Sequence, residues 1–304
     1  MFRVIIIMFG ILMTSVVSAK ETIPVYTKFT LTNSGGRLVL DFTRIMTALD
    51  DKYEYKYSVI PGAEGESAIA RSYADAKDNR KVLLFTANAE FTLNRFNNAR
   101  GYDKSKDFVF IQSVQSTIFS VMTPKRNGAK SIEELIARIK NSKEKLFYGV
   151  SSSSAIGISL TDNFIKQYGI GDNLKPLNFA TVPDIAQSAI AGEYEFVLFD
   201  PTSLPDQEFN ILMTASRERH PYYLQVPTAT EEGLKKLFVQ TTSFLATPNK
   251  NDKEFIEHVK NVAKKACNSE EMVDLLIKYK RTPKCLSSDV LKDYLDEEYE
   301  TYFK

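Results

Sequence analysis

A two-lobed α/β protein with a ligand cleft between the lobes is the fold this sequence predicts. Three observations carry the prediction. Short apolar runs alternate with segments of helical period; this strand-turn-helix pattern fills the chain before residue 100 and again between 125 and 215; and a helical tail follows. At 304 residues the chain is also long enough for two units or one large two-lobed body.

The elements follow in order. Val25 to Leu31 reads as a strand, β-branched and aromatic, and Arg37 to Leu49 as a helix with Leu38, Phe42, Ile45, Met46 and Leu49 at helical spacing. Tyr53 to Ile60 alternates aromatic or apolar residues with polar ones, as a half-buried strand does. Glu66 to Lys77 is a second helix, Val82 to Thr86 a third strand, and Phe108 to Met122 an extended run able to carry the chain into a second lobe. Ser131-Ile132-Glu133-Glu134 forms a capping box that opens a helix to about Asn141. Strand Leu146 to Val150, helix Ala155 to Tyr168, a short run Leu177 to Phe179, a helix begun by Pro183-Asp184 and strand Phe196 to Phe199 come next. Asn210 to Ala215 and Thr241 to Ala246 read as extended, and everything from Asp252 as helical. The expected boundaries are 1–19 for a leader, 20–122 and 241–304 for the first lobe, and 123–240 for the second.

Composition removes several classes of function. Lys plus Arg number 39 against 38 Asp plus Glu, so no basic field exists to hold nucleic acid. With two His and two Cys in all, a Cys/His zinc cage would need every one of them near the others, and neither a metal nor a cofactor is expected. Arg3 precedes an apolar run from Val4 to Met13, about half the ~20 residues of a spanning helix. Small residues at Val17 and Ala19 place signal cleavage after Ala19, which predicts export; a membrane anchor is the alternative. In an oxidising compartment Cys267 and Cys285 are then expected to form a staple rather than remain two buried thiols.

Three turns rich in Gly and Ser sit where strands end and helices begin. They are Ser34-Gly35-Gly36, Pro61-Gly62-Ala63-Glu64-Gly65 and Ser151-Ser152-Ser153-Ser154. Glycine permits close backbone approach and positive φ, serine adds hydroxyl donors, and helix N-termini offer free N–H groups. Any one of these turns is equally well a simple helix cap; three on one chain point to a cleft that takes a carboxylate. Asp200-Pro201-Thr202-Ser203 is a fourth, weaker turn. Enzyme motifs are missing. Gly65-Glu66-Ser67-Ala68-Ile69 lacks the final glycine of a nucleophile elbow, and no dinucleotide or phosphate-binding glycine pattern is complete. His220 and His258 both read as solvated surface residues, not catalytic bases.

The chain resembles the periplasmic solute-binding proteins of tripartite tricarboxylate transporters, the Bug family. Ser34-Gly35-Gly36 with Asp41 and Arg44 is similar to the family's first turn and helix, although Ser34 stands where its proline would be. Pro61-Gly62-Ala63-Glu64-Gly65 resembles the second loop, and Ser131 to Ala137, Ala189 to Glu195 and Val226 to Gly233 resemble later segments. Leu177-Asn178-Phe179-Ala180-Thr181 departs from the usual pattern. The resemblance implies a type II periplasmic binding fold, no enzymatic activity, and a monomer that closes on a small carboxylate and presents it to membrane permease subunits. Closure is expected about Ser116 to Ser120 and Thr241 to Ser243. The ligand residues it implies are Ser34, Gly35, Gly36, Gly62, Ala63, Gly65 and Ser151 to Ser154. Asp200, Thr202 and Thr86 with Ala87 and Asn88 are weaker additions. A module feeding a sensor kinase is the alternative role for the same closure.

Overall fold

The computed structural model describes residues 19–32, 34–92, 101–126, 128–151, 154–234, 237 and 240–302. The leader expected at 1–19 lies outside these except for Ala19, and so do Ser152 and Ser153.

Alternation starts the first lobe. In β1 (Glu21–Thr27) the inward residues Ile23, Val25 and Thr27 are buried, and Phe42 and Met46 of α1 (Ser34–Leu49) pack with them. Full burial of a side chain such as Phe42 contributes about 1.5–3 kcal/mol. β2 (Tyr53–Val59), α2 (Glu66–Lys77), β3 (Leu83–Ala87), the short α3 (Asn88–Thr92) and the long β4 (Phe108–Ile118) follow. The chain then enters the second lobe through β5 (Ser120–Pro124), α4 (Ile132–Asn141), β6 (Leu146–Ser151), α5 (Ala155–Tyr168), β7 (Leu174–Phe179), α6 (Val182–Ala191), β8 (Phe196–Phe199) and β9 (Phe209–Thr214). It returns through β10 (Gln240–Pro248), α7 (Lys253–Cys267), α8 (Glu270–Lys278), β11 (Thr282–Pro283) and α9 (Ser288–Tyr302).

Two sheets result, one in the order β11-β4-β10-β3-β1-β2 and the other β7-β6-β8-β5-β9. Within the first, β1 runs parallel to β2 and β3; within the second, β6 runs parallel to β7 and β8. The parallel strands therefore aim their carboxyl ends, and the turns after them, toward one end of each sheet, where ligands gather in such folds. The outgoing and returning strands lie side by side, with Gln240 opposite Ile118 and Thr241 opposite Thr117.

Three differences from the sequence expectations have physical causes. The first strand is four residues earlier than Val25 to Leu31, because pairing with β2 in register from Glu21 recruits Thr22, Ile23 and Pro24. The tail is not wholly helical, since Thr282–Pro283 adds an edge strand to β4. His258 is not a solvated surface residue: its Nε2 lies 2.9 Å from both carboxylate oxygens of buried Asp50, and its ring meets Tyr53 edge-on at 5.2 Å. Cys267 and Cys285 form a disulfide with their Cα atoms 5.9 Å apart, joining the end of α7 to the segment before α9. Among the described residues no helix is long and apolar enough to cross a membrane.

Candidate ligand cleft

Close packing shapes the first-lobe turns. A Cβ on Gly36 would lie 2.0 Å from the Thr30 carbonyl oxygen, so only glycine lets α1 begin against that backbone. The second turn holds an unusual run of backbone conformations: Gly62 at φ 108° and ψ 156°, Ala63 at φ 46° and Gly65 at φ 101°. Gly62 is in a region essentially restricted to glycine, and Ala63 adopts a positive φ that L-residues seldom take. Gly65 closes the turn by donating its N–H to the Gly62 carbonyl at 3.1 Å. No hydrogen bond runs from the Gly62 or Ala63 amide to another described residue. The turn thus presents backbone donors at the carboxyl end of a parallel strand.

Charged residues that the sequence did not single out hold these turns together. Glu90 on α3 accepts from the Thr86 hydroxyl at 2.7 Å and the Ala87 amide at 2.6 Å, both with Oε2, while Lys28 Nζ lies 2.6 Å from Oε1. Thr86 and Ala87 therefore direct their donors at a protein carboxylate. Lys104, 1% exposed, pairs with the Glu66 carboxylate at the start of α2 and donates to the Glu90 carbonyl at 2.6 Å. Tyr102 adds a hydroxyl donor to Glu66 at 3.1 Å. Gly65, Thr86 and Ala87 are brought together around Glu90, and α3 reaches the second-lobe core through Ala89. Asn88 ties α3 to the returning strand, donating to the Gln240 carbonyl and accepting from the Thr242 amide.

In the second lobe Ser151 ends β6 in a buried position, and the Ser154 hydroxyl caps α5 by accepting from the Gly157 amide at 3.1 Å. Gly157 is closely packed: a Cβ there would lie 2.9 Å from Ser154 Oγ and 3.2 Å from the Phe119 ring, at the point where the chain changes lobes. Asp200, a weaker ligand candidate from the sequence, ties the two lobes through its own partners. Its carboxylate pairs with Arg281 at 2.8 Å and accepts from the hydroxyls of Thr117, Thr202 and Ser203 and the Thr202 amide. Burial pushes its pKa up, but Arg281 and the Thr202 and Ser203 donors outweigh that and hold it below the ordinary value. Thr202 also bonds to Asp200, through its amide at 2.9 Å and its hydroxyl at 2.7 Å.

His220 corrects a second expectation. It is 6% exposed, with Nδ1 accepting from the Tyr222 amide at 3.3 Å and Nε2 3.2 Å from the Thr282 hydroxyl. Burial lowers its pKa, opposed by Asp200. Lys280 pairs with Asp206 beside it, so the segment 280–282 grips the second lobe at three points. A cavity of about 560 Å³ lies elsewhere on the second lobe, between the start of α4, Leu204 to Phe209 and Tyr222 to Pro227. None of the described residues expected to bind ligand lines it.

Comparison with known proteins agrees with this architecture. The structure of Rpa4515 from R. palustris with adipate superimposes with a TM-score of 0.78 at 16% identity, covering 92% of this chain and 94% of that one. MatC from Rhodopseudomonas palustris with bound malate gives 0.77 at 15% identity, covering 93% and 97%. BugD, a periplasmic binding protein, gives 0.78 at 12% identity, covering 93% and 96%. These likenesses establish the fold. In sequence, the UPF0065 protein in gbd 5'region of Cupriavidus necator is 24% identical over 201 residues, or 64% of this chain. The aligned part spans 60% of that relative's length. Residues 61–301 match the tripartite tricarboxylate transporter family receptor, well over half of the chain, and the protein belongs to that family of solute-binding receptors, not to a family of enzymes.

Proposed function

We propose that this protein captures a small carboxylate-containing solute outside the cytoplasmic membrane, by closure of its lobes, and delivers it to the permease subunits of a tripartite tricarboxylate-type transporter. The observation that carries the proposal is the β2–α2 turn, in which Gly62 and Ala63 take positive φ and their amides have no acceptor among the described residues. Oriented amides at a strand's carboxyl end replace the water around a carboxylate without needing a bulk positive charge. The ligands named for two proteins of the same fold, adipate and malate, are both dicarboxylates. Ser151 and Ser154 close the cage from the second lobe, with the crossing strands near Thr117 and Thr241 as the hinge. Export follows cleavage after Ala19 and puts the disulfide in an oxidising compartment.

Thermal denaturation with adipate, malate and citrate tests this. Acid at about 100 times its dissociation constant stabilises by ~2.7 kcal/mol, and the melting temperature then rises by roughly 5–10 °C. The absence of any rise across these acids counts against the proposal.

A further inference from the structure

Between α8 and α9 the chain forms a strap anchored on the first lobe. It leaves α8 through Lys280 at φ 52°, the Arg281 amide donates back to the Leu276 carbonyl at 2.8 Å, and Thr282 and Pro283 pair with Ser116 and Gln115 of β4. The Cys267–Cys285 disulfide ties its far end to α7. From this strap three consecutive side chains reach the second lobe: Lys280 to Asp206, Arg281 to Asp200 at 2.8 Å, and Thr282 to His220 at 3.2 Å. The first lobe also holds the guanidinium, since Gln115 accepts from Arg281 at 3.2 Å and donates to Ser243 on β10 at 2.8 Å.

The chain itself crosses between the lobes from β4 to β5 and from β9 to β10. The strap adds a further connection, and a non-covalent one can be made in one arrangement of the lobes and broken in another. Three buried hydroxyls without a hydrogen-bond partner among the described residues lie at the same junction: Ser120 opens β5, Thr241 stands opposite Thr117 on the crossing strands, and the Tyr223 ring stacks on His220. Buried polar groups are nearly always paired, so unpaired ones gathered at a joint fit a joint with a second arrangement.

We infer that the strap 280–282 is a latch between the lobes, and that Arg281 and Lys280 are positioning residues for the acid, holding the arrangement in which the turns of both lobes serve one ligand. This rests on the carboxylate reading above. The route from latch to ligand is short. Asp200 follows β8, which pairs in parallel with β6, and Ser151 ends β6. Fixing Asp200 against the first lobe therefore fixes the strand end that leads to Ser154. Affinity then scales with the fraction of molecules that are latched.

The test measures an inter-lobe distance without ligand, by pulsed dipolar spectroscopy between nitroxides on cysteines introduced by Lys56→Cys on β2 and Lys140→Cys on α4, both exposed positions. The proteins compared are the wild type, Arg281→Met, Lys280→Asp and the exchanged pair Lys280→Asp/Asp206→Lys, each also taken through calorimetry with adipate, malate and citrate. A latch predicts one narrow distance in the wild type, a broadened or shifted distribution in Arg281→Met and Lys280→Asp, and recovery in the exchanged pair. Acid affinity falls in step: a variant latched about a tenth of the time binds about tenfold more weakly. A contact that merely stabilises the fold would lower the melting temperature and leave the distance alone. If Arg281→Met fails to fold, Lys280→Asp and its recovery decide the matter. Distances in the variants equal to the wild type's overturn the latch, and so do shifted distances with unchanged or tighter acid binding. A wild type that binds none of the acids overturns the carboxylate reading and the positioning role with it, while the distances alone decide whether the lobes are latched.

Discussion

Replacing Arg281 by Met removes the cation from a buried carboxylate. Arg281 is 3% exposed and donates to Asp200 at 2.8 Å, joining the segment just before β11 of the first lobe to the turn after β8 in the second. Removing one partner of such a pair costs about 3–5 kcal/mol, because the other charge stays buried without its counterion. For a chain of this size the melting temperature falls by roughly 6–20 °C. The loss has a pH signature. Asp200 is held below its ordinary value, so the pair's contribution is fully present above the unfolded value of about 3.9 and disappears as pH falls through the lower folded value. In Arg281→Met, burial is opposed only by the hydroxyl and amide donors around Asp200, and the acid neutralises at higher pH. The gap between variant and wild type is therefore widest near neutrality and narrows toward pH 4. Melting curves across that range are the assay, and Arg281→Met/Asp200→Asn should recover much of the loss. A gap under about 1 kcal/mol, or one that does not change with pH, refutes the reasoning.

Two further substitutions probe the turn and the tail. Gly62→Ala places a side chain at φ 108°, with its Cβ 3.1 Å from Ser67 Oγ, and should cost about 1–3 kcal/mol as well as affinity for acids; melting and calorimetry unchanged from wild type would show that the turn is not held as described. Breaking the disulfide with Cys267→Ser and Cys285→Ser opens a link of sequence separation 18 and should lower stability by ~3 kcal/mol, read as a fall in melting temperature that added reductant reproduces in the wild type. Equal melting of oxidised and reduced protein would contradict it.

What the sequence revealed was local. The helix after Ser131 was readable because its cap is written within four residues: the Ser131 hydroxyl accepts from the Glu134 amide, and the Glu134 carboxylate accepts from the Lys130 amide. The two α/β lobes were readable from the same kind of short-range pattern. Pro24 concealed the start of β1, since a proline argues against a strand unless its missing N–H is not needed; pairing with β3 is confined to Val25 and Tyr26. The glycine turns showed themselves by composition, but the charged frame around them did not. Lys28 and Glu90, or Asp200 and Arg281, lie far apart in sequence, and nothing local to either member points to its partner. His220 looked solvated for the same reason: one of its partners, Thr282, returns from the distant tail.

The central claim is that the backbone amides of the β2–α2 turn receive the acid. Determining a crystal structure of the protein with adipate or malate tests it most directly. The account predicts a carboxylate oxygen within about 2.7–3.2 Å of the Gly62 or Ala63 amide nitrogen. An acid seated instead in the second-lobe cavity beside Tyr222 and Pro227, with the Gly62 and Ala63 amides facing only water, would contradict it.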